Sequence, residues 1–303
     1  MKYKKYIDAN IPSLEGKNIV ITGANSGIGF SLAKQLAYKH AHVVLACRNE
    51  EKAIVAIEEI KREIKDASLD YIVYNQASFK SIEAFKDTLI ERYPTLHGFV
   101  FNAGIYHPRK GLTTEDGFPL TIGTNYIGPF YLGDCLKDYF LANRCRIVVV
   151  TSMTQVIGKC NNFEEMLSKD DASTYAYSIS KRLDISFASY LQEQLGNDCL
   201  VVLTHPGVAS TSIIAKEHVS FSKLFVTLGE GFLKLCTNNA EKSSLTSLLA
   251  LSKSDVSSFD YYVPRGLFHI VGYPKKIKIT PNKYRSELIE KLTKDSISSK
   301  KKV

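Results

Sequence analysis

Six short runs rich in β-branched residues recur along the chain: NIVIT at 18–22, HVVLA at 42–46, DYIVY at 70–74, HGFVF at 97–101, CRIVVVT at 145–151 and CLVVLT at 199–204. Each is almost continuously apolar, the pattern of a strand covered on both faces. Stretches of helical periodicity separate them. Between residues 50 and 65, Ile54, Ile57, Ile60 and Ile64 recur at three- and four-residue intervals among charged neighbours. Strands and helices alternating in this way require βαβ crossovers, which predicts a single-domain α/β fold: a doubly wound parallel sheet with helices on both faces. No repeat, low-complexity linker or composition break divides the 303 residues, a length that one large domain accommodates.

After the sixth run the alternation lapses over about 212–239, a region rich in Phe, Leu, Lys and Ser. Ligands of open α/β sheets bind beyond the carboxyl ends of the strands, so a long insertion there is placed to cover the crevice. The segment is predicted to be a helical substrate lid, followed by C-terminal helices and a tail over 240–303.

Charge and cysteine usage narrow the class. The net charge is +8, yet the basic residues are scattered, with a tight run only at Lys300–Lys302, so the balance suits an anionic cofactor and excludes nucleic acid as the expected partner. Cys47, Cys135, Cys145, Cys160, Cys199 and Cys236 form no CxxC pair and no metal-ligand spacing with histidine. Unpaired cysteines of this kind fit a reducing, cytoplasmic location. The N-terminal MKYKKYIDANIPSLEGK has no apolar h-region, and no run of about 18 uncharged apolar residues follows, so neither secretion nor a membrane span is expected.

The first strand runs into TGANSGIG, with Gly23, Gly27 and Gly29 spaced GxxxGxG. Glycines permit a tight turn that brings backbone N–H groups and a helix N-terminus against a pyrophosphate, which predicts dinucleotide binding at this strand-to-helix junction. The end of the second strand discriminates between dinucleotides. A carboxylate there would hold the ribose 2′-hydroxyl of NAD(H); this chain has Arg48, whose guanidinium suits the 2′-phosphate of NADP(H). NADP(H) is therefore the preferred cofactor, NAD(H) stays open as the second, and a surface arginine at a helix start is the bland alternative. The fourth strand ends in Asn102, Ala103 and Gly104, where an amide can brace two segments and small residues leave room for a ligand.

Ser152 follows the fifth run and should emerge at the carboxyl end of its strand. In STYAYSISK, Tyr177 and Lys181 lie four residues apart on a predicted helix, hence about 40° apart on one face, away from the apolar stripe of Ile179, Leu183 and Phe187. A phenol ordinarily titrates near 10, and an adjacent ammonium favours its ionised form, which suits a group that gives and takes a proton. Tyr175 falls about 120° round the other way and reads as a packing or surface residue.

Taken in order, TGxxxGIG at 22–29, NAG at 102–104, Asn125 in TNYIGPFYL, Ser152, YxxxK at Tyr177 and Lys181, and PGxxxT at Pro206, Gly207 and Thr211 resemble the short-chain dehydrogenase/reductase family, with its Rossmann-like fold. GKNIVITGANSGIG, VVLACRN and HPGVAST are similar to the branch that contains retinol dehydrogenases and the WW-domain oxidoreductase. The resemblance implies hydride transfer between nicotinamide and the carbonyl or alcohol carbon of a small, apolar molecule. It implies Tyr177 as acid/base, Ser152 as hydrogen-bond partner of the reacting oxygen, and Lys181 as holder of the nicotinamide ribose that also lowers the Tyr177 pKa. Asn125 would support a water relay toward Lys181. The implied cofactor set further includes Asn25, Ser26, Ile28, Asn49, Val208 and Thr211.

The chain departs from the family pattern at Asn75 and Gln76, where an Asp that touches adenine is common; Asn75 can still accept that hydrogen bond. The missing N-terminal membrane segment weighs against a membrane-dissolved retinoid. Family members range from monomers to tetramers, which leaves room for a homodimer. The competing reading is a silent cofactor sensor or scaffold of the same fold. Such proteins usually lack a member of the Asn125, Ser152, Tyr177 and Lys181 set, and this chain has all of them.

Overall fold

In the computed structural model of the chain, the described residues are 1–106, 108–158, 163, 167, 173–208, 238–280 and 286–301. The β-branched runs form β1 (Asn18–Thr22), β2 (His42–Cys47), β3 (Leu69–Val73), β4 (Gly98–Phe101), β5 (Arg146–Val150) and β6 (Leu200–Thr204). With β7 (Asp260–Pro264) and β8 (Pro274–Lys278) they make one eight-stranded sheet, ordered β3-β2-β1-β4-β5-β6-β7-β8. Every pairing is parallel except β7 with β8. The chain steps outward from β1 to β2 and β3, then returns to place β4 against the other side of β1. That reversal opens a crevice beyond the carboxyl ends of β1 and β4, where doubly wound sheets bind ligands.

Successive strand residues feed opposite faces. Ile19, Ile21, Val43, Leu45, Val100, Val148 and Val202 pack with α2 (Gly27–Tyr38), α3 (Glu50–Glu63) and a C-terminal pair, α9 (Ala240–Ser243) and α10 (Leu245–Ser252). Val20, Val44, Phe99, Phe101, Ile147, Val149 and Val201 pack on the other side with α4 (Phe79–Arg92), α6 (Gly128–Cys135), α7 (Lys137–Asn143) and α8 (Thr174–Leu195). A short N-terminal helix α1 (Lys4–Asn10) buries Ile7, and α11 (Glu287–Lys300) buries Ile297. The continuously apolar strands are thus covered on both faces, as their composition predicts, except at the edge strand β3, where only Ile72 is buried and Val73 is exposed.

Three details differ from the sequence reading. On α3 the buried residues are Ala53, Ala56 and Ile60; of the isoleucine stripe, Ile60 is buried, Ile57 and Ile64 are half-buried and Ile54 is exposed. Helix α8 buries residues on every side, so its apolar stripe does not isolate one core face. The stretch 240–303 also contains two strands besides its helices. β7 ends in proline and β8, PKKIK, is a lysine-rich edge that pairs on one side, a composition that hides strand character and discourages edge association.

The predicted lid lies outside the described residues apart from Asn238 and Asn239, and Thr211 lies outside them as well. The amide of Asn238 donates to the Val208 carbonyl at 2.8 Å, so the chain leaves and rejoins the described fold at one point. Among the described residues no helix is long and apolar enough to cross a membrane.

Candidate functional site

A cleft of about 310 Å³ follows the carboxyl edge of the sheet from the glycine turn to α8. At its first end Gly23 and Gly27 adopt φ of +68° and +60°, conformations that glycine takes without strain. Gly29 is required by close approach: a Cβ there would lie 2.4 Å from the Gly23 carbonyl and 2.6 Å from Asn102 Nδ2. The turn delivers α2 with its first-turn N–H groups uncapped by any side chain, whereas Asn49, Ser78, Ser173 and Ser286 cap α3, α4, α8 and α11. Those free donors and the positive end of the helix dipole face the cleft wall formed by Gly23, Asn25, Ser26, Gly27, Ile28 and Gly29.

Arg48 is exposed on the same cleft at the end of β2. Asn49 is turned to another task, its Oδ1 accepting from Lys52 N at 2.8 Å to cap α3. Asn75 and Gln76 both line the cleft beyond β3, but their amides are engaged with protein. Asn75 Oδ1 accepts from Ala77 N at 3.1 Å and its Nδ2 donates to Glu115 at 3.0 Å; Gln76 Nε2 donates to the carbonyls of Ala103 and Thr124 at 3.0 and 2.7 Å. Asn102 braces β4 to β1 by donating from Nδ2 to the Thr22 carbonyl at 2.8 Å, while Thr22 Oγ1 accepts from the amides of Asn102 and Ala103 at 3.0 and 2.9 Å.

At the far end Tyr177 and Lys181 share the cleft wall with Gly104, Val150, Thr151 and Pro206. Lys181 Nζ lies 5.9 Å from the centre of the Tyr177 ring, and Ser152, whose Oγ accepts from Thr154 N and Thr154 Oγ1 at 3.3 and 3.1 Å, is near enough to Tyr177 to pull its pKa down. Tyr175, two residues away, is exposed on the outside of α8. Lys181 is buried and donates to Asp184 Oδ2 at 2.8 Å and to the Val150 carbonyl at 3.2 Å.

Asn125 sits on a π-helical turn, Gly123–Ile127, that joins a short helix α5 (Leu120–Ile122) to α6. Its Oδ1 accepts from Ile105 N at 2.8 Å, and its Nδ2 donates to the Ile105 carbonyl at 2.9 Å and to Ser180 Oγ at 3.1 Å. The amide therefore clamps the loop after β4 onto α8. Gly104 lets these parts converge: a Cβ there would stand 3.3 Å from Asn125 Oδ1 and 3.5 Å from Lys181 Nζ.

Gly207 and Val208 stand behind Pro206, off the cleft wall. Gly207 has φ of +77°, a Cβ on it would fall 2.2 Å from the Ile270 carbonyl, and the same carbonyl accepts from Val208 N at 3.0 Å.

The electrostatics correct one expectation. Burial pushes the Tyr177 hydroxyl above its ordinary pKa, and this outweighs the lowering by Lys181 and by the Ser152 hydrogen bond. Asp184 and Tyr106 add to the rise. Burial also lifts Asp184 to about 6 against the attraction of Lys181. Lys181 stays above its usual range because Asp184 and Tyr177 together overcome its own desolvation.

Asp184 and Tyr106 escaped the sequence reading. Asp184 is three residues from Lys181 on one helix, a spacing that puts them side by side. Tyr106 has no such signal, since a loop tyrosine acquires its place only when the loop is docked.

Residues 17–219 match the family profile described as short chain dehydrogenase. Retinol dehydrogenase 14 of Mus musculus is 31% identical over 245 residues, covering 76% of this chain and 73% of that protein. The WW domain-containing oxidoreductase of Gallus gallus is 34% identical over 231 residues, which covers 73% of this chain and 55% of that one. Among solved structures, an uncharacterised protein of Mycobacterium Paratuberculosis matches over 97% of this chain and 96% of its own, at 25% identity and a TM-score of 0.73. A 3-ketoacyl-(acyl-carrier-protein) reductase of Brucella melitensis complexed with NADH shares the fold at a TM-score of 0.62 and 21% identity, covering 81% of this chain and 95% of that one. The order of the sheet, the glycine turn leading into an uncapped helix and these matches have one explanation: the chain belongs to the short-chain dehydrogenase/reductase family and is an NAD(P)-dependent oxidoreductase.

Proposed function

We propose that the protein moves a hydride between NADP(H) and the carbonyl or alcohol carbon of a small apolar molecule, with Tyr177 exchanging the proton. One observation carries the reading: a single cleft begins at the glycine turn and ends at Tyr177 and Lys181. The cleft fits a dinucleotide because α2 offers uncapped backbone donors at one end and Lys181 offers a cation at the other. Gly23, Asn25, Ser26, Gly27, Ile28 and Gly29 would hold the pyrophosphate, Arg48 the 2′-phosphate, Asn75 and Gln76 the adenine side, and Asn102 to Gly104 with Pro206 the nicotinamide half. Gly207, Val208 and Thr211 would support that half from behind. When bound, the nicotinamide supplies or accepts the hydride.

The protein's own groups handle the oxygen. Tyr177 donates its proton to the carbonyl oxygen in reduction and recovers it from the alcohol in oxidation. Ser152 donates a hydrogen bond toward the same oxygen and stabilises charge as it develops. Lys181 holds the ribose, and Asn125 keeps the Ile105 backbone and α8 in register around it. For an apolar substrate the support is the exposure of Val156 and Ile157, a few residues after Ser152, and the name of the relative retinol dehydrogenase 14. Four free cysteines among the described residues support a cytoplasmic location.

The decisive experiment is oxidation of NADPH by a panel of carbonyl compounds, run with the intact protein and with Tyr177→Phe. The variant is expected to lose turnover by at least about a hundredfold, the typical scale of acid/base catalysis, while binding NADPH as before. Turnover surviving in Tyr177→Phe, or lost only in Tyr175→Phe, overturns the assignment.

A further inference from the structure

We infer that Asp184 is a positioning residue that sets the proton affinity of Tyr177 by holding the Lys181 ammonium and offsetting its charge. The inference rests on the reading of Tyr177 as the proton carrier and names the group that regulates it.

The pair is not an ordinary helix salt bridge. The side chains of Lys181 and Asp184 retain only 7% and 5% of their exposure, and Nζ stands 2.8 Å from Oδ2. On a helix surface a cation ahead of an anion is the less favourable order, and in the interior desolvation costs both charges dearly. Local helix energetics do not account for an aspartate here. Its position relative to the cleft does.

An ammonium carries three protons. One Lys181 proton goes to Asp184 and one to the Val150 carbonyl. One remains for the cleft, whose wall Lys181 forms beside Gly104 and Tyr177. Asp184 therefore fixes the direction of that remaining donor. It also acts at a distance on the phenol: the field Lys181 casts on Tyr177 is partly cancelled by the carboxylate beside it. Among the described residues, the groups that act on Tyr177 are Lys181 and Asp184 from α8, the Ser152 hydroxyl from the end of β5 and Tyr106 from the loop after β4. Of these, Lys181 and Ser152 pull its pKa down while Asp184 and Tyr106 push it up, with burial the largest contribution. Neutralising Asp184 leaves the ammonium unopposed, so Tyr177 gives up its proton more readily.

The test is an NMR pH titration of the protein without nucleotide, labelled with 13Cζ-tyrosine, with the Tyr177 resonance identified by its loss in Tyr177→Phe. In Asp184→Asn the Tyr177 midpoint is expected about one pH unit below that of the unaltered protein, the scale of a lost charge near a buried group. Asp184→Ser, a smaller neutral replacement, should shift it in the same direction, and Asp184→Glu should restore most of the original value. A midpoint that is unchanged or raised in the folded neutral variants overturns the inference. The pH profile of turnover separates this from the function itself. If the tyrosine midpoint falls and the ascending limb of the oxidation profile, where Tyr177 must be deprotonated to take the alcohol proton, moves to lower pH with it, both readings stand. If the midpoint falls and the limb does not, Asp184 governs Tyr177 but Tyr177 does not carry the proton.

Discussion

The ring of Tyr106 meets the ring of Tyr177 edge-on, with centroids 4.8 Å apart and planes at 86°, and its hydroxyl lies 3.1 Å from Thr174 Oγ1. A loop residue thus packs against the phenol of α8 in the wall of the cleft. Edge-to-face aromatic pairs are worth about 0.5–1.5 kcal/mol, so Tyr106→Ala should lower kcat/KM for carbonyl reduction by up to about tenfold. Tyr106→Phe keeps the ring and should stay within about threefold. Equal losses in the two variants would assign the effect to the Thr174 contact.

Arg48 gives a test of cofactor choice that does not depend on chemistry. Hydrogen bonds to charged groups contribute about 1.5–3 kcal/mol, so Arg48→Gln should weaken NADPH binding by roughly tenfold or more. NADH, which has no 2′-phosphate, should bind almost as before. Fluorescence titration of both nucleotides checks this, and equal weakening of the two would remove Arg48 from the 2′-phosphate site.

Gly29→Ala should disable the glycine turn. The new methyl would press on the Gly23 carbonyl at 2.4 Å, which is backbone and cannot swing aside. Overpacking of this kind costs about 1–3 kcal/mol. The expected result is a Tm lowered by several degrees and NADPH affinity reduced by more than about tenfold, since α2 must shift to relieve the contact. Thermal melts with and without NADPH separate the two effects.

His205 predicts a pH dependence of stability. It is buried, its Nδ1 accepts from Gly207 N at 2.9 Å, and burial, with His269 nearby, pushes its pKa from 6.5 down to about 3. Between those values the unfolded chain binds a proton that the folded chain refuses. The stabilisation is therefore fully present above pH 6.5 and is lost as pH falls toward 3. From pH 7 to pH 5 the loss attributable to His205 is about 2 kcal/mol at roughly 1.4 kcal/mol per pH unit. Urea denaturation at both pH values should show a slope smaller by that amount in His205→Asn. Asp184, whose folded pKa is raised, contributes the opposite slope in both proteins and cancels in the comparison.

What could be read in advance divides along a physical line. Strands β1 to β6 were legible because both-face burial demands continuous β-branched sequence, and a glycine turn was legible because the backbone conformation demands glycine. Tyr177 and Lys181 were legible as neighbours because helical spacing is local. β7 and β8 were not: one ends in proline, the other is an edge rich in lysine, and their pairing is the property of a sheet already formed. The raised pKa of Tyr177 was not legible either. Coulomb attraction by Lys181 can be inferred from spacing, but the desolvation that exceeds it arises from residues distant in sequence. Asp184 reads as a surface charge until the folded chain buries it against Lys181.

The π turn at Gly123–Ile127 gives the helical stretch from Leu120 to Cys135 a single wider turn, which holds a residue more than a regular α-helix would. That surplus is a matter of counting, and it can be edited. Removing one residue from the turn would let the helix run on as α with its flanking turns still in phase, improving its hydrogen bonding but drawing the bulged residues back onto the regular helical surface. Asn125 would then swing off Ile105 and Ser180, and the loop carrying Gly104 and Tyr106 would lose its anchor. The deletion that best repairs the helix is thus the one that most disorganises the site.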